Sequence, residues 1–418
     1  MKLRHLQTLM PPADGLCRVT SLCFSPNNLR LAVVTVERVI HLFDEDGKRR
    51  DKFSTKPAEK VRAQASWGRV ARESVRRLDS CGRGPVQQAN VRATIAPLRR
   101  QGGPAARFPP ACTGPKTYMV TAMAFSPDST MLAVAQSDNM VFVYKLGLDW
   151  GDRKSICNRF RQASSVTALA WPSSRFGDLI CGTVDGGVHL CQLKSNRSTT
   201  LYTANYMTVS ACASPDGTAF ITGHADKSVH RYHYGDDAMG PSHSVFCLHS
   251  CIPTCVAWAE GIMAAGADTR VTFYDDSGAP ARTFDYSDDE DARGFTSCAV
   301  NPGGDSIVVG GFDEYRIFSH ASKARTWEAT THQRVPHLYT VTALAWKPDG
   351  SRVALGTLCG LTDVYDACLK RVLYKGRFEF TYVSPSQVIV KRLSSGARIV
   401  LRSTFRCEIG KVAVYRDR

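Results

Sequence analysis

Apolar and polar positions along the chain alternate over short stretches, the period of half-buried strands, and one phrase of this kind returns seven times. It reads Val19-Thr-Ser-Leu-Cys-Phe-Ser-Pro26, Val120-Thr-Ala-Met-Ala-Phe-Ser-Pro127, Val166-Thr-Ala-Leu-Ala-Trp-Pro172 and Val209-Ser-Ala-Cys-Ala-Ser-Pro215. It returns as Pro253-Thr-Cys-Val-Ala-Trp258, Phe295-Thr-Ser-Cys-Ala-Val-Asn-Pro302 and Val341-Thr-Ala-Leu-Ala-Trp-Lys-Pro348. A hydroxyl residue falls at 20, 121, 167, 210, 254, 296 and 342, giving intervals of 101, 46, 43, 44, 42 and 46 residues. Pro with Asp, Asn or Gly closes most copies, and an apolar run such as Leu31 to Val34 or Met131 to Ala135 follows. Turn chemistry therefore separates strand from strand.

A second turn follows each run, marked by Glu37, Asp138, Asp185, Asp226, Asp268 or Asp313. Six residues later stands an aromatic, Phe43, Tyr144, Tyr232 or Tyr274. The sixth copy needs five and ends at Phe318; the third has Cys191 in the aromatic place, and the seventh has Cys359 in the acidic place before Tyr365. Three residues after each hydroxyl the side chain is small (Cys23, Ala124, Ala170, Ala213, Ala257, Ala299, Ala345), which implies close backbone approach. Periods of about 40 to 45 residues with four short strands each are the pattern of a WD40 propeller, whose blades cannot bury their faces alone. The fold expected is all-β, a seven-bladed WD40-type β-propeller. The Trp-Asp dipeptide itself is replaced by Phe43-Asp44, Tyr274-Asp275 and Tyr365-Asp366.

The long interval of 101 residues marks an insertion, since removing residues 61–115 returns it to 46. That stretch holds ten Arg against Glu73 and Asp79, with six Gly, six Pro and no sustained period, and is expected to be disordered. Its +8 is more than half of the chain's +15, so the basic character is mostly local. Seven blades account for 1–377, with Lys2 to Leu9 placed to pair with the last blade and remove an open edge. Residues 378–418 are expected to begin a second, truncated propeller, with strands at 380–384, 387–391, 397–402 and 411–415. No apolar run approaches the roughly 20 residues of a membrane-spanning helix. Fifteen cysteines in such a chain read as small reduced hydrophobes.

Several stretches carry a resemblance: Asp51-Lys-Phe-Ser-Thr-Lys-Pro57, Phe125-Ser-Pro-Asp-Ser-Thr130, Asp149-Trp-Gly-Asp152, Gly223-His-Ala-Asp226, Thr283-Phe-Asp-Tyr-Ser287, 338–352, Leu355-Gly-Thr-Leu-Cys-Gly360 and Ser384-Pro-Ser-Gln-Val-Ile-Val-Lys391. Outside 61–115 the chain resembles the intraflagellar transport protein 172 family, large peripheral subunits of ciliary transport complex B. The resemblance implies two N-terminal propellers followed by a helical tetratricopeptide-like tail, of which this chain would hold the first propeller and the start of the second. It implies a non-enzymatic scaffold for cilium assembly and maintenance, through contacts with other complex B subunits, and with cargo or membrane as further partners. The implied location is the cilium, the ciliary base with its basal body, and the cytoplasm. The insertion has no counterpart in the family pattern.

Candidate chemistry is sparse. Cys247-Leu-His249-Ser-Cys251-Ile-Pro-Thr-Cys255 has zinc-ligand types, but not the paired Cys-x-x-Cys spacing, and Cys255 falls in a packing column with Ser21, Ala122, Ala168, Ala211, Ser297 and Ala343. His224 and Asp226 could form an acid/base pair, although Asp226 already belongs to the turn column, where a carboxylate accepts backbone N–H bonds. The run Asp285, Asp288, Asp289, Glu290, Asp291 reads as a solvated loop or a docking patch for a basic partner. No phosphate loop, HExxH or GxSxG motif occurs, so no catalytic, cofactor-binding or metal-ligating residue is assigned and no cofactor is expected. Nucleic-acid or anionic-membrane binding is the alternative. It rests on the insertion and on Lys391, Arg392, Arg398, Arg402, Arg406 and Lys411, with only Trp67 and Phe108 in the insertion to stack on bases, so no specific nucleic acid is expected.

Overall fold

The computed structural model describes residues 3–12, 17–56, 118–147, 149–235, 240–321, 324–335, 338–404 and 407–415. The insertion at 61–115, with Trp67 and Phe108, and Arg406 lie outside them. Among the described residues every regular element is a strand, and the strands form eight four-stranded antiparallel sheets. Blade 1 takes Val19–Phe24, Leu31–Thr35, Val39–Phe43 and Arg49–Ser54, innermost to outermost. Blades 2 to 6 repeat this order, opening with Val120–Phe125, Val166–Ala170, Thr208–Ala213, Cys255–Ala259 and Ser297–Val300. Blade 7 is composite. Val341–Trp346, Arg352–Thr357 and Thr362–Asp366 are completed by Arg4–Met10, which pairs with Thr362–Asp366 from Arg4 opposite Asp366 to Met10 opposite Thr362.

The reason for a ring lies in the second strands, buried along all but, in four blades, their first residue. In blade 1, Ala32 and Val34 pack with Ile40 and Leu42 against Leu132, Val134 and Phe142 of blade 2. Leu31 and Val33 point the other way, onto Ala343, Ala354 and Val364 of blade 7. Blade 2 divides itself likewise, Leu132 and Val134 toward blade 1, Ala133 and Ala135 toward Val166, Leu179 and Cys181 of blade 3. Because strand side chains alternate faces, each blade presents two apolar sides and needs two neighbours. Each such valine, leucine, isoleucine or phenylalanine contributes about 1.5–3 kcal/mol when fully buried, and each alanine less. Seven first strands touch in succession, and the last returns to the first, which closes the circle.

The recurring hydroxyls tie these first strands together. Thr121 Oγ1 donates to the Val166 carbonyl (2.7 Å), Thr167 to Thr208 (2.5 Å), Thr254 to Phe295 (2.7 Å), Thr296 to Val341, and Thr342 to Val19 (2.6 Å). Thr121, Thr167 and Thr342 sit where the ladder register slips, so each is freed from its own sheet to reach the next. Glycine in the facing second strand makes room: a Cβ on Gly356 would lie 2.6 Å from Val19 Cγ1, and one on Gly182 would lie 2.5 Å from Thr208 Cγ2.

Blade 4 departs from the expected register by one residue. Ser210 pairs with Gly223 as Ala168 pairs with Gly182, so Val209 occupies the hydroxyl column and Thr208 the valine column. Thr-Val-Ser offers a hydroxyl on either side of a valine, and the residue pattern cannot choose between them. Ser210 nevertheless reaches the Pro253 carbonyl (2.6 Å), while the fully buried Thr208 stands in for a valine with its hydroxyl unpartnered.

The eighth sheet comprises Lys370–Tyr374, Phe378–Ser384, Gln387–Arg392 and Arg398–Arg402. It begins on the near side of 377, with Lys370–Tyr374 as its first strand; residues 411–415 form no strand, but Val412 and Val414 pack on its small core of Phe378, Phe380 and Val388. Gln387 Nε2 donates to the Asp349 carbonyl of blade 7 (2.8 Å).

Thr342→Val is expected to lower stability by about 1 kcal/mol and Thr208→Val to leave it unchanged or raise it, because the first loses a bond and the second removes an unpaired buried hydroxyl. Urea unfolding of the two variants checks this; equal destabilisation by both would contradict the assignment.

Candidate functional site

One end of the ring is built from the segments that enter the first strands and the turns that leave the second strands, which antiparallel pairing puts on the same side. The acidic column lies here. The residue after the acid is left-handed in the first five blades: Arg38 (φ 66°), Asn139 (66°), Gly186 (83°), Lys227 (74°) and Thr269 (59°). In blade 7, Gly360 follows Cys359 the same way (87°). Arg, Lys and Thr are strained there, and a carboxylate accepting N–H bonds beyond the bend offsets the strain. Asp226 Oδ1 accepts from the Ser228 amide (3.0 Å) and hydroxyl (2.6 Å), and Asp185 Oδ1 from Thr183 Oγ1 (2.5 Å) and the Gly187 amide (3.3 Å). Asp268 Oδ1 accepts from the Arg270 amide (3.3 Å). Partial burial pushes the Asp226 carboxyl up, but the Ser228 bonds and His224 outweigh it and hold it below its ordinary value.

Glu37, Asp138 and Asp313 stand at the corresponding turns. The sixth turn, one residue shorter, has no left-handed residue, and there Glu314 does different work. Fully buried, it is held by Arg316 Nε (3.1 Å) and Nη2 (3.0 Å) and by His332 Nε2 (2.5 Å). Between the carboxylates the same end exposes Met119, Tyr206, Ile252 and Tyr339 ahead of first strands, with Val184 and Phe312 in the turns; Tyr206 and Tyr339 are each over half exposed, at 54% and 52%. An end with carboxylates fixed in turns and apolar side chains between them is suited to bind a protein segment. The large exposed residues share repeat positions, Val184 and Phe312 directly before the turn acid and Tyr206 and Tyr339 two residues before the first strand's valine column, but the residue types at those positions vary from blade to blade.

The other sequence candidates fall apart or are absorbed. His224 Nε2 bonds Thr222 Oγ1 (2.8 Å), which bonds Tyr202 Oη (2.6 Å), and its Nδ1 faces the Tyr206 carbonyl (3.1 Å); it makes no acid/base pair with Asp226. A second chain runs from Asp226 through Ser228 Oγ to His230 Nε2 (2.9 Å), and from His230 Nδ1 to His243 Nε2 (2.9 Å). Ser228 is buried and its proton goes to a carboxylate, an arrangement that holds a sheet together and does not expose a nucleophile. Three acids of the run are paired: Asp285 with Arg270 (2.8 Å), Asp289 with Arg316 (3.3 Å) and Arg334 (3.6 Å), Asp291 with Arg334 (2.7 Å). Those arginines come from other strands, so the run alone could not reveal its neutralisation. Arg398 pairs with Glu45 of blade 1 (2.9 Å), which removes one charge from the basic stretch. In the Cys/His run, Cys255 is buried in the core of blades 5 and 6, while His249 and Cys251 meet Asp268 of the turn column.

Comparison with known proteins agrees with this architecture. The WD domain, G-beta repeat family matches residues 109–145. The chain is 42% identical over 415 residues to the intraflagellar transport protein 172 homolog of Mus musculus, covering 99% of this chain and 21% of that protein. It is 41% identical over 423 residues to intraflagellar transport protein 172 of Chlamydomonas reinhardtii, covering all of this chain and 21% of that protein. To intraflagellar transport protein osm-1 of Caenorhabditis elegans it is 31% identical over 95% of this chain and 20% of that protein. The chain thus spans about a fifth of the length of the curated relatives it matches, and the resemblance carried by its motifs extends along essentially its whole length.

The buried histidines set a pH dependence. Desolvation, with His224 and His243 nearby, lowers His230 to about 4, Asp226 opposing the shift; burial also lowers His224 and His243. A folded value below the unfolded 6.5 means the unfolded chain binds more protons, so stability is full above pH 6.5 and falls as pH drops toward 4. Melting temperature measured from pH 7 to 4.5 is expected to fall, and His230→Gln to flatten the fall; a level profile in the parent protein would contradict it.

Proposed function

We propose that the chain is a non-enzymatic propeller scaffold of intraflagellar transport, which supports cilium assembly and maintenance by holding other complex B subunits. The reading rests chiefly on the match along 99% of the chain to intraflagellar transport protein 172 homologs, joined to a ring whose one end is rigid, partly acidic and partly apolar. Its location would be the cilium, the ciliary base and the cytoplasm, with cargo or membrane as further partners. No helix among the described residues is long and apolar enough to cross a membrane. The sheet at 370–402, with its outermost strand exposed at all five positions, would begin a second propeller. In this reading the acidic turn column keeps the binding end rigid.

Affinity capture of the tagged chain from ciliated cells tests the role: recovery of complex B subunits, with and without 61–115, is expected. Recovery of none would overturn it. RNA or liposome binding that is strongly salt-dependent and lost with 61–115 would favour the charge-based alternative. For the turn column, Asp226→Ala is expected to cost about 1 kcal/mol for each lost bond and to lower the melting temperature while capture is retained. An unchanged melting temperature would remove the structural role.

A further inference from the structure

In blade 5 the segment that enters the first strand crosses the turn that leaves the second strand, and three ligating side chains meet at the crossing. A ring nitrogen of His249, Cys251 Sγ and a carboxylate oxygen of Asp268 all lie within 4.8 Å of one another. His249 is 4% exposed. Its Nδ1 is engaged with Tyr274 Oη at 2.7 Å, whereas Nε2 is buried and has no hydrogen-bond partner. In the tautomer whose Nδ1–H donates to Tyr274 Oη, Nε2 carries the lone pair, the second-shell arrangement usual for metal-binding histidines. Cys251 Sγ donates to Asp268 Oδ1 at 3.1 Å, and Ser250 Oγ donates to the other carboxylate oxygen, which orients that group in turn. Cys251 is half-buried, so the cluster is open to solvent on one side.

We propose that His249, Cys251 and Asp268 form a binding site for a divalent transition metal, zinc by the chemistry of the donors. An imidazole nitrogen, a thiolate and a carboxylate are together a zinc set, and with three protein ligands a fourth tetrahedral position stays free for water or a partner's side chain. Metal–ligand distances of about 2.0–2.3 Å require the three atoms to draw together by about 1 Å, within the reach of a loop segment. On binding, the Cys251 sulfur exchanges its proton for the metal; the S–H bond breaks, the S–Zn bond forms, and the proton passes to solvent. The metal clamps the segment Leu248–Pro253 to the turn after Ala265, at the binding end of the ring. The site differs from the one the residue run suggests, since Cys255 lies in the core and Cys247 sits behind, against Tyr274. Nothing in this inference depends on the transport role.

Calorimetric titration of the metal-stripped full chain with Zn(II), and absorption spectroscopy with Co(II) as probe, test it. One equivalent of each ion is expected, with a thiolate-to-cobalt charge-transfer band and release of a proton. Cys251→Ser should abolish the band and weaken zinc at least tenfold, Asp268→Asn should weaken zinc at least tenfold, and Cys157→Ser, in blade 2, should change neither. Where a variant fails to fold, iodoacetamide labelling of the parent protein decides: zinc should slow modification of Cys251 at least tenfold and leave Cys157 unaffected. Absence of stoichiometric uptake, retained binding in folded Cys251→Ser, or equal labelling of Cys251 with and without zinc would each overturn the proposal.

Discussion

A blade of this protein has no outside among its inner strands. Leu31 and Val33 face one neighbour while Ala32 and Val34 face the other, and the same division repeats in the next blade at residues 132–135. A sheet that is apolar on both sides is insoluble alone and stable only between two others, so the assembly ends only when the last blade meets the first. The threonine bonds add direction to this packing. From Thr121 to Thr342 each hydroxyl reaches a carbonyl of the following blade, which sets how far neighbouring first strands are offset and how closely the ring's inner wall is drawn in. Glycines such as Gly182 and Gly356 are the complement of that closeness, because any side chain would collide with the residue being received.

The seam between blades 7 and 1 bears the chain's widest sequence separations. Arg4–Met10 supplies the outer strand of blade 7, Thr342 bonds Val19, and the Asp349 amide donates to Asn28 Oδ1 (2.8 Å). Contacts so distant in sequence close the largest loops in the molecule, and they leave no inner edge open. Blades 1 and 2 are also joined just outside their strands, where Tyr118 Oη donates to the Thr55 carbonyl (2.8 Å) and Gln136 Nε2 donates to the Lys56 carbonyl (3.1 Å). Among the described residues no strand pairs with the outer side of Arg398–Arg402, and Ile399, Val400 and Leu401 are exposed on it.

The end that carries the turn column joins local strain to function. Left-handed residues other than glycine are costly, yet Arg38, Lys227 and Thr269 adopt that conformation beside an acid. A carboxylate bonded to the amide two residues on, as in the turns of Asp185, Asp226 and Asp268, keeps the bend in one shape on the rim that displays Tyr206 and Tyr339. Rigid display lowers the entropic cost of binding, which favours the proposed scaffold role.

Strand period, turn residues and repeat interval are local properties, and from them the all-β class, the seven blades and the closing strand at Lys2 to Leu9, observed at Arg4–Met10, could be read directly. The register of Thr208-Val209-Ser210 could not, since either hydroxyl satisfies the pattern and only pairing with Gly223 decides between them. The same holds for sites. Asp226 as a turn residue was visible because it recurs, whereas the pairing of Asp289 with Arg316, and of His249 and Cys251 with Asp268, joins residues from different elements. A sequence records what each residue can bond; which partner it meets depends on how sheets stack about the axis, and that is decided only when every blade has buried both its faces.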